Sequence, residues 1–397
     1  MRGVSVVTGA RHGWPAVTVL TCREILRSAW LPGGLFLFGA WLALYAVDHD
    51  RSLESAARRH LAHGMAGIQA LLLAWGVFLG VSLKSGARRG VARRLTGAVA
   101  VAPAVWFWGR VSGLALCLLL LGSLLGVTLM GYQAVRFGDP KGELVRPLER
   151  ILPRSATSPD AVLKKPGQRA VLSFAAPPST GVLRGRLAPR ILEVGGGVRS
   201  HLPVAVDVTS PGCEVHQRWM IVLKSGRPQR FAKPLPADLW GRSLDIAIEP
   251  VVTGPLLRMA PGSLVLFGRE RSLWSEVLRG GLAAAAAAAV LGAMTHYGRV
   301  YWSLGSSLLL GLGLIVLATS VEALEGGALA TIPWARGIVS AASILLPDLG
   351  HGDAAQALGR GWALGWGPLA MAALRLLGTS VVLGLCLGAW ESRGGRR

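Results

Sequence analysis

Two arginine pairs, Arg88 with Arg89 and Arg93 with Arg94, stand five positions apart in a short gap between two long apolar runs. A guanidinium is always charged, planar and rich in donors, so it suits carboxylates, phosphates and backbone carbonyls. Beside an apolar run it also holds a loop on the side of a membrane where positive charge is retained. A smaller set, Arg23, Glu24 and Arg27, precedes the first apolar run. These residues are candidates for binding and for topology, not for bond making.

Other chemistry is sparse. No G-x-x-x-x-G-K-[ST] occurs, so the chain is expected to hold no phosphate-cradling loop and to hydrolyse no ATP by itself. No H-E-x-x-H occurs, and His60 and His63 lack the glutamate a zinc protease uses as base, so they read as a solvated juxtamembrane turn. Ser306 and Ser307 follow His296 closely but have no G-x-S-x-G context, and small residues at a helix contact explain them better. Cys22, Cys117, Cys213 and Cys386 lie too far apart in sequence for a disulfide framework or a zinc spacing. The expectation is no catalytic residue, no metal and no cofactor in this chain.

The elements that must position these residues are mostly apolar. Hydrophobic residues make up 52% of the 397 and charged residues only 16%, which excludes an ordinary soluble domain. Six runs are long enough to cross a hydrocarbon core of roughly 30 Å: 30–47, 64–83, 104–132, 277–295, 300–321 and 366–390. The fourth is mostly alanine and offers lipid little area, so it is expected to pack against other helices. Residues 332–346 are too short to span and read as a re-entrant or interfacial segment. Gly109 with Gly113 and Gly122 with Gly126 give two G-x-x-x-G spacings, read as packing within the bundle before a dimer seam.

Gln69 interrupts the second run, while Ser303, Ser306, Ser307, Thr319 and Ser320 decorate the fifth. Polar groups in lipid seek a partner or a wet cavity, so these are candidate path-lining residues, with ordinary interhelical hydrogen bonding as the competing reading. Arg375 in the sixth run must snorkel or face the bundle. No signal-peptide pattern is read at the start, so the first run is expected to be retained.

The net charge of +21 belongs to the membrane flanks rather than to nucleic acid. With both ends cytoplasmic, the inner short segments hold Arg23, Arg27, Lys84, both arginine pairs, Arg299, Arg393, Arg396 and Arg397; the outer ones hold only Arg51, Arg58, Arg59, Arg336 and Arg360. That orientation exports residues 133–272, between membrane parts 1–132 and 273–397. The exported block begins with an extended or partly helical linker. It continues as alternating segments, RAVLSFA, GVLRGRLAP, HLPVAVDV, HQRWMIVLK, LDIAIEPVV and SLVLFG, separated by turn residues. The fold class is therefore a polytopic α-helical membrane protein with six transmembrane helices and an inserted extracytoplasmic all-β, sandwich-like domain.

Three stretches together resemble the membrane-spanning permease subunit of type 2 ABC exporters. They are TVLTCREILRSAWLPGGLFLFG, with an R-E-hydrophobic-hydrophobic-R run at Arg23, Glu24 and Arg27; VSLKSGARRGVARRLTGAVAVAPAVWFWGRVSG; and ILLPDLGHGDAAQAL before a last run ending in WESRGGRR. Lys84 to Gly90 holds no acid where that family's loop commonly has a glutamate, and most relatives lack so large a β-domain. The resemblance implies a dimeric translocation path in a bacterial inner membrane, with a second permease copy, surrounding lipid and a separate ABC ATPase subunit carrying ATP and magnesium. It also implies ATPase coupling through Arg23, Glu24, Arg27, Arg88, Arg89, Arg93 and Arg94. The rival reading is a non-transporting anchored protein whose β-domain binds a ligand or envelope partner.

Overall fold

The computed structural model describes residues 10–28, 30–44, 52–83, 103–151, 153–156, 161–163, 165–175, 181–192, 201–224, 229–252, 256–259, 263–325 and 354–394. The chain divides into a helical unit, Met1–Pro147 with Ser272–Arg397, and a β unit, Leu148–Arg271.

The helical unit contains α1 (Ala10–Leu26), α2 (Trp30–Leu44), α3 (Leu53–Ser82), α4 (Pro103–Phe137), α5 (Leu273–Tyr301), α6 (Leu304–Glu325), α7 (Ala354–Gly359) and α8 (Gly367–Gly394). Helix α3 starts where the Ser52 hydroxyl accepts the Ser55 N–H at 3.3 Å, with Glu54 favourably placed in the first turn. Helices α3, α4 and α5 form its core. Ala285, Ala288, Ala289 and Ala293 are all at most 1% exposed, so the alanine run does pack against helices and not against lipid. A Cβ on Gly80 would lie 2.4 Å from the Gly292 carbonyl oxygen, and one on Gly122 would lie 2.6 Å from that of Gly281. Backbones approach this closely only where side chains are missing.

Four helices among the described residues are long and apolar enough to cross a membrane: Leu53–Ser82, Val105–Phe137, Leu273–Tyr301 and Gly367–Cys386. The pair Gly13–Leu26 and Leu31–Leu44, bent by 54°, makes a fifth if taken as one broken span. The expected six are therefore not all present as straight spans. The expected first run begins with α2, whose 15 described residues are too few to cross alone, so it counts as a span only together with α1. The expected fifth is shifted along the chain, because α5 continues to Tyr301 and α6 starts only at Leu304, where the Ser306 N–H reaches the Ser303 hydroxyl at 3.2 Å. Residues 332–346 lie outside the described residues.

Among the described residues the β unit has twelve strands: β1 (Leu148–Ile151), β2 (Ser155–Ala156), β3 (Ala161–Leu163), β4 (Ala170–Phe174), β5 (Val182–Leu187), β6 (Arg190–Leu192), β7 (His201–Thr209), β8 (Gln217–Lys224), β9 (Gln229–Pro234), β10 (Leu244–Pro250), β11 (Leu256–Met259) and β12 (Leu264–Glu270). They pair as three sheets, β1-β12-β5-β9, β2-β4-β10-β7-β8 and β3-β11-β6. Every pairing is antiparallel. Alternate residues turn inward, as along β10, where Leu244, Ile246 and Ile248 are fully buried. One apolar cluster draws Phe174, Val206, Leu257 and Leu266 from all three sheets, which makes the unit sandwich-like with its own core.

The boundary differs from the expected 133. Gln133 and Phe137 belong to α4, and residues up to Pro147 belong to the helical unit. There the Asp139 carboxylate accepts the Glu143 and Leu144 N–H groups, both at 2.8 Å, and Val145 is fully buried. After Pro147 the linker expected to be extended or partly helical supplies the strands β1, β2 and β3.

Candidate coupling site at Glu24 and Arg110

Helix α1 lies against the first turns of α4 because two glycines let it. A Cβ on Gly109 would sit 2.6 Å from the Val17 Cβ, and one on Gly113 would sit 2.6 Å from the Thr21 Cβ. The first G-x-x-x-G spacing thus serves packing within the chain, as the second does at Gly122. Thr21 turns its hydroxyl back to the Val17 carbonyl at 2.8 Å, leaving its methyl for the contact. The Cys22 thiol reaches the Gly113 carbonyl at 3.6 Å.

This packing carries Glu24 to Arg110. Both guanidinium nitrogens of Arg110 meet the Glu24 carboxylate, the longer bond being 3.4 Å. Arg110 is 3% exposed and Glu24 is 45% exposed, so the cation is withdrawn into the bundle and the anion sits at its edge. The Trp106 ring covers the guanidinium at 4.8 Å. Behind this pair, the His296 Nδ1 of α5 bonds the Gly80 carbonyl of α3 at 3.2 Å. Phe107 of α4 stacks on the His296 ring at 5.9 Å. Four helices, α1, α3, α4 and α5, therefore converge on one polar knot. The knot ties α1 to the three core helices at one point.

Arg23 on α1 and Arg27 in the turn just after it are exposed, one residue before and three after the anchored Glu24. Arg88, Arg89, Arg93 and Arg94 lie outside the described residues. Gln69 is half-buried in α3, and among the described residues no hydrogen bond joins it to the α6 hydroxyls. Those hydroxyls bond locally. Ser303 and Ser306 share a bond at 2.9 Å, Ser307 donates to the Ser303 carbonyl at 2.9 Å, and Thr319 donates to the Ile315 and Val316 carbonyls at 3.1 and 2.9 Å. Ser320 is half-buried. A cavity of about 260 Å³ between α2 and α3, lined by Leu37, Phe38, Trp41, Gly67, Ala70 and Leu71, is apolar and gives no wet path.

The two neighbouring histidines are not in a solvated turn. His60 is 1% exposed, with Nδ1 on the Gln133 Oε1 at 3.0 Å and its ring stacked on Tyr132 at 5.0 Å. His63 stacks on Trp41 at 4.3 Å, tying α3 to α2. Among the described residues, no group of three His, Cys, Asp or Glu side chains is placed to hold a metal ion.

Sequence reasoning did not single out Arg110, Glu276 or Gln133 as anchors. The signal was present: each is a polar residue inside an otherwise apolar helix, where burial without a partner is costly. Glu276 is fully buried, accepts the Leu364 N–H at 2.7 Å and pairs with Arg279, whose guanidinium lies 4.3 Å from the Trp366 ring. No protein-family model matches this chain, and no curated protein does either.

Proposed function

We propose that the chain is the membrane-spanning permease subunit of an ATP-driven exporter of the type 2 ABC class. It works as a dimer of permeases in a bacterial inner membrane, with both ends cytoplasmic, six crossings and the β unit on the outer side. A separate ATPase subunit supplies ATP and magnesium. The observation that supports this reading is the anchoring of Glu24 by the buried Arg110 while Arg23 and Arg27 beside it stay exposed. Such a helix has a fixed point in the bundle and free donors for a partner, which is what a motor-docking element requires. The arginine pairs at 88–89 and 93–94, which fall between α3 and α4 in the sequence, would add further donors.

A second reading, an anchored β-domain that binds a ligand, is favoured by the tightness of the α3, α4 and α5 core. Gly80 and Gly122 leave no space between those helices, so a path has to run over their outer faces, against another copy. Purification of the tagged chain from its native membranes, followed by identification of bound proteins, separates the two. A co-purifying P-loop ATPase supports the exporter, and its turnover should fall when Arg23 and Arg27, or both arginine pairs, become alanine. Recovery of the intact chain without any such ATPase would remove the exporter reading.

A further inference from the structure

The two larger sheets of the β unit are charged differently on their outer faces. On β2-β4-β10-β7-β8 the outward positions include Asp207, Asp245 and Glu249, and the arginines there are paired with them, Arg169 at 3.1 Å from Glu249 and Arg218 at 3.5 Å from Asp207. On β1-β12-β5-β9 the outward positions hold arginines. Arg184 and Arg186 alternate with the buried Leu183 and Leu187 along β5, and Arg230 precedes the buried Phe231 on β9. The register sets Arg150 and Arg184 on either side of Phe267, and it sets Arg186 directly opposite Arg230. Glu270 lies 3.0 Å from Arg184. Like charges directly opposite each other destabilise a sheet. An anion held between the two guanidinium groups turns that repulsion into attraction.

We propose that the outer face of β1-β12-β5-β9 is a headgroup site, at which Arg150, Arg184, Arg186 and Arg230 take the phosphodiester groups of anionic phospholipids. The planar guanidinium fork matches two phosphate oxygens at once, which suits it to a phosphodiester better than a point charge does. Chain connection supplies the lipid as the source. Phe267 precedes Leu273, the first residue of α5, by six residues, and Arg150 follows Pro147, the last residue of that part of the helical unit, by three. Six residues of extended chain reach about 20 Å at most. Helix α5 is long and apolar enough to cross a membrane, so the tether holds this face at a high effective concentration of headgroups. The carboxylates of the other sheet would be repelled by the same surface. The inference rests on α5 being a membrane helix and not on any transport activity.

The test places the full chain in nanodiscs of phosphatidylcholine, with and without phosphatidylglycerol, and follows amide hydrogen exchange by mass spectrometry. Anionic discs are expected to slow exchange in β5 and β9, while β8 on the other sheet exchanges equally in both. Each arginine near an anionic surface is worth roughly fivefold in affinity. The double variant Arg186→Gln with Arg230→Gln should therefore lose most of the protection. In neutral discs its β5 and β9 should exchange no faster than the parent's, since a like-charge pair has gone, which separates lost binding from unfolding. Equal exchange of β5 and β9 in the two lipid compositions, or protection that survives in the double variant, would overturn the proposal. So would protection by inorganic polyphosphate in neutral discs that exceeds protection by anionic discs, which would assign the face to a soluble polyanion. Failure of the chain to enter discs of either composition would remove the membrane reading of α5 and this proposal with it.

Discussion

Gly76 of α3 and Ala288 of α5 lie so close that a Cβ on the glycine would be 2.3 Å from the alanine carbonyl oxygen. The contact is reciprocated, since a Cβ on Gly292 would be 2.8 Å from the Gly76 carbonyl oxygen. Backbone cannot swing aside as a flexible side chain can. Gly76→Ala is therefore expected to cost at least the roughly 1–3 kcal/mol typical of overpacking. Gly131→Ala in α4, where a Cβ meets nothing within 4 Å, should leave stability unchanged. Thermal midpoints of the detergent-solubilised variants check this; equal midpoints would mean that α3 and α5 are not held at this distance.

Glu24 and Arg110 differ in burial, so their deletions should differ. Glu24→Ala leaves a guanidinium that is 3% exposed without its counter-charge, whereas Arg110→Met leaves a carboxylate that can turn to water. The glutamate deletion should be the more destabilising, by about 1–2 kcal/mol after allowance for the half-exposed partner. The double variant should recover part of the loss. Strictly additive losses in a double-mutant cycle would deny the pairing.

Glu276 joins the first turn of α5 to the segment before α8 through the Leu364 N–H. Removing an acceptor from a buried donor costs about 1–3 kcal/mol, which corresponds to roughly 5- to 150-fold faster amide exchange. Glu276→Ala should raise exchange at Leu364 by that factor. Glu276→Gln, which keeps a carbonyl acceptor, should raise it less. Hydrogen exchange read by mass spectrometry distinguishes them, and equal rates in all three chains would contradict the bond.

The β unit has its own core, so residues 148–271 are expected to unfold as a separate cooperative transition. Ile246→Ala, at a fully buried position, should lower that transition by about 2–5 kcal/mol. Met220→Ser, on the exposed face of β8, should change it by less than about 0.5 kcal/mol. Calorimetry of the full chain reads both; a shift of the helical transition by Ile246→Ala would argue against two units.

Periodicity made the long elements legible. The alternating segments of β4, β5, β7, β8, β10 and β12 are visible because each has one buried face, and residue alternation is a direct consequence of strand geometry. The short strands β2, β3 and β6 are too brief to show a period, and β9 reads QRFAKP, whose pattern makes sense only once β5 lies beside it. Apolar length likewise marked α3, α4 and α8, but it ran the fifth span through residues 300–303, where α5 ends at Tyr301 and Trp302 and Ser303 separate it from α6.

Composition by itself determined that this chain carries helices long and apolar enough to cross a membrane and a strand-rich insert, because burial of apolar surface depends on local runs of residues. It also determined that no phosphate-binding loop motif is written in it. Only tertiary structure decided that Glu24 meets Arg110 and that His60 meets Gln133. These pairs are separated by 73 and 86 residues, and the helix faces that bring them together are chosen by glycine and alanine contacts with no signature of their own in a chain rich in both.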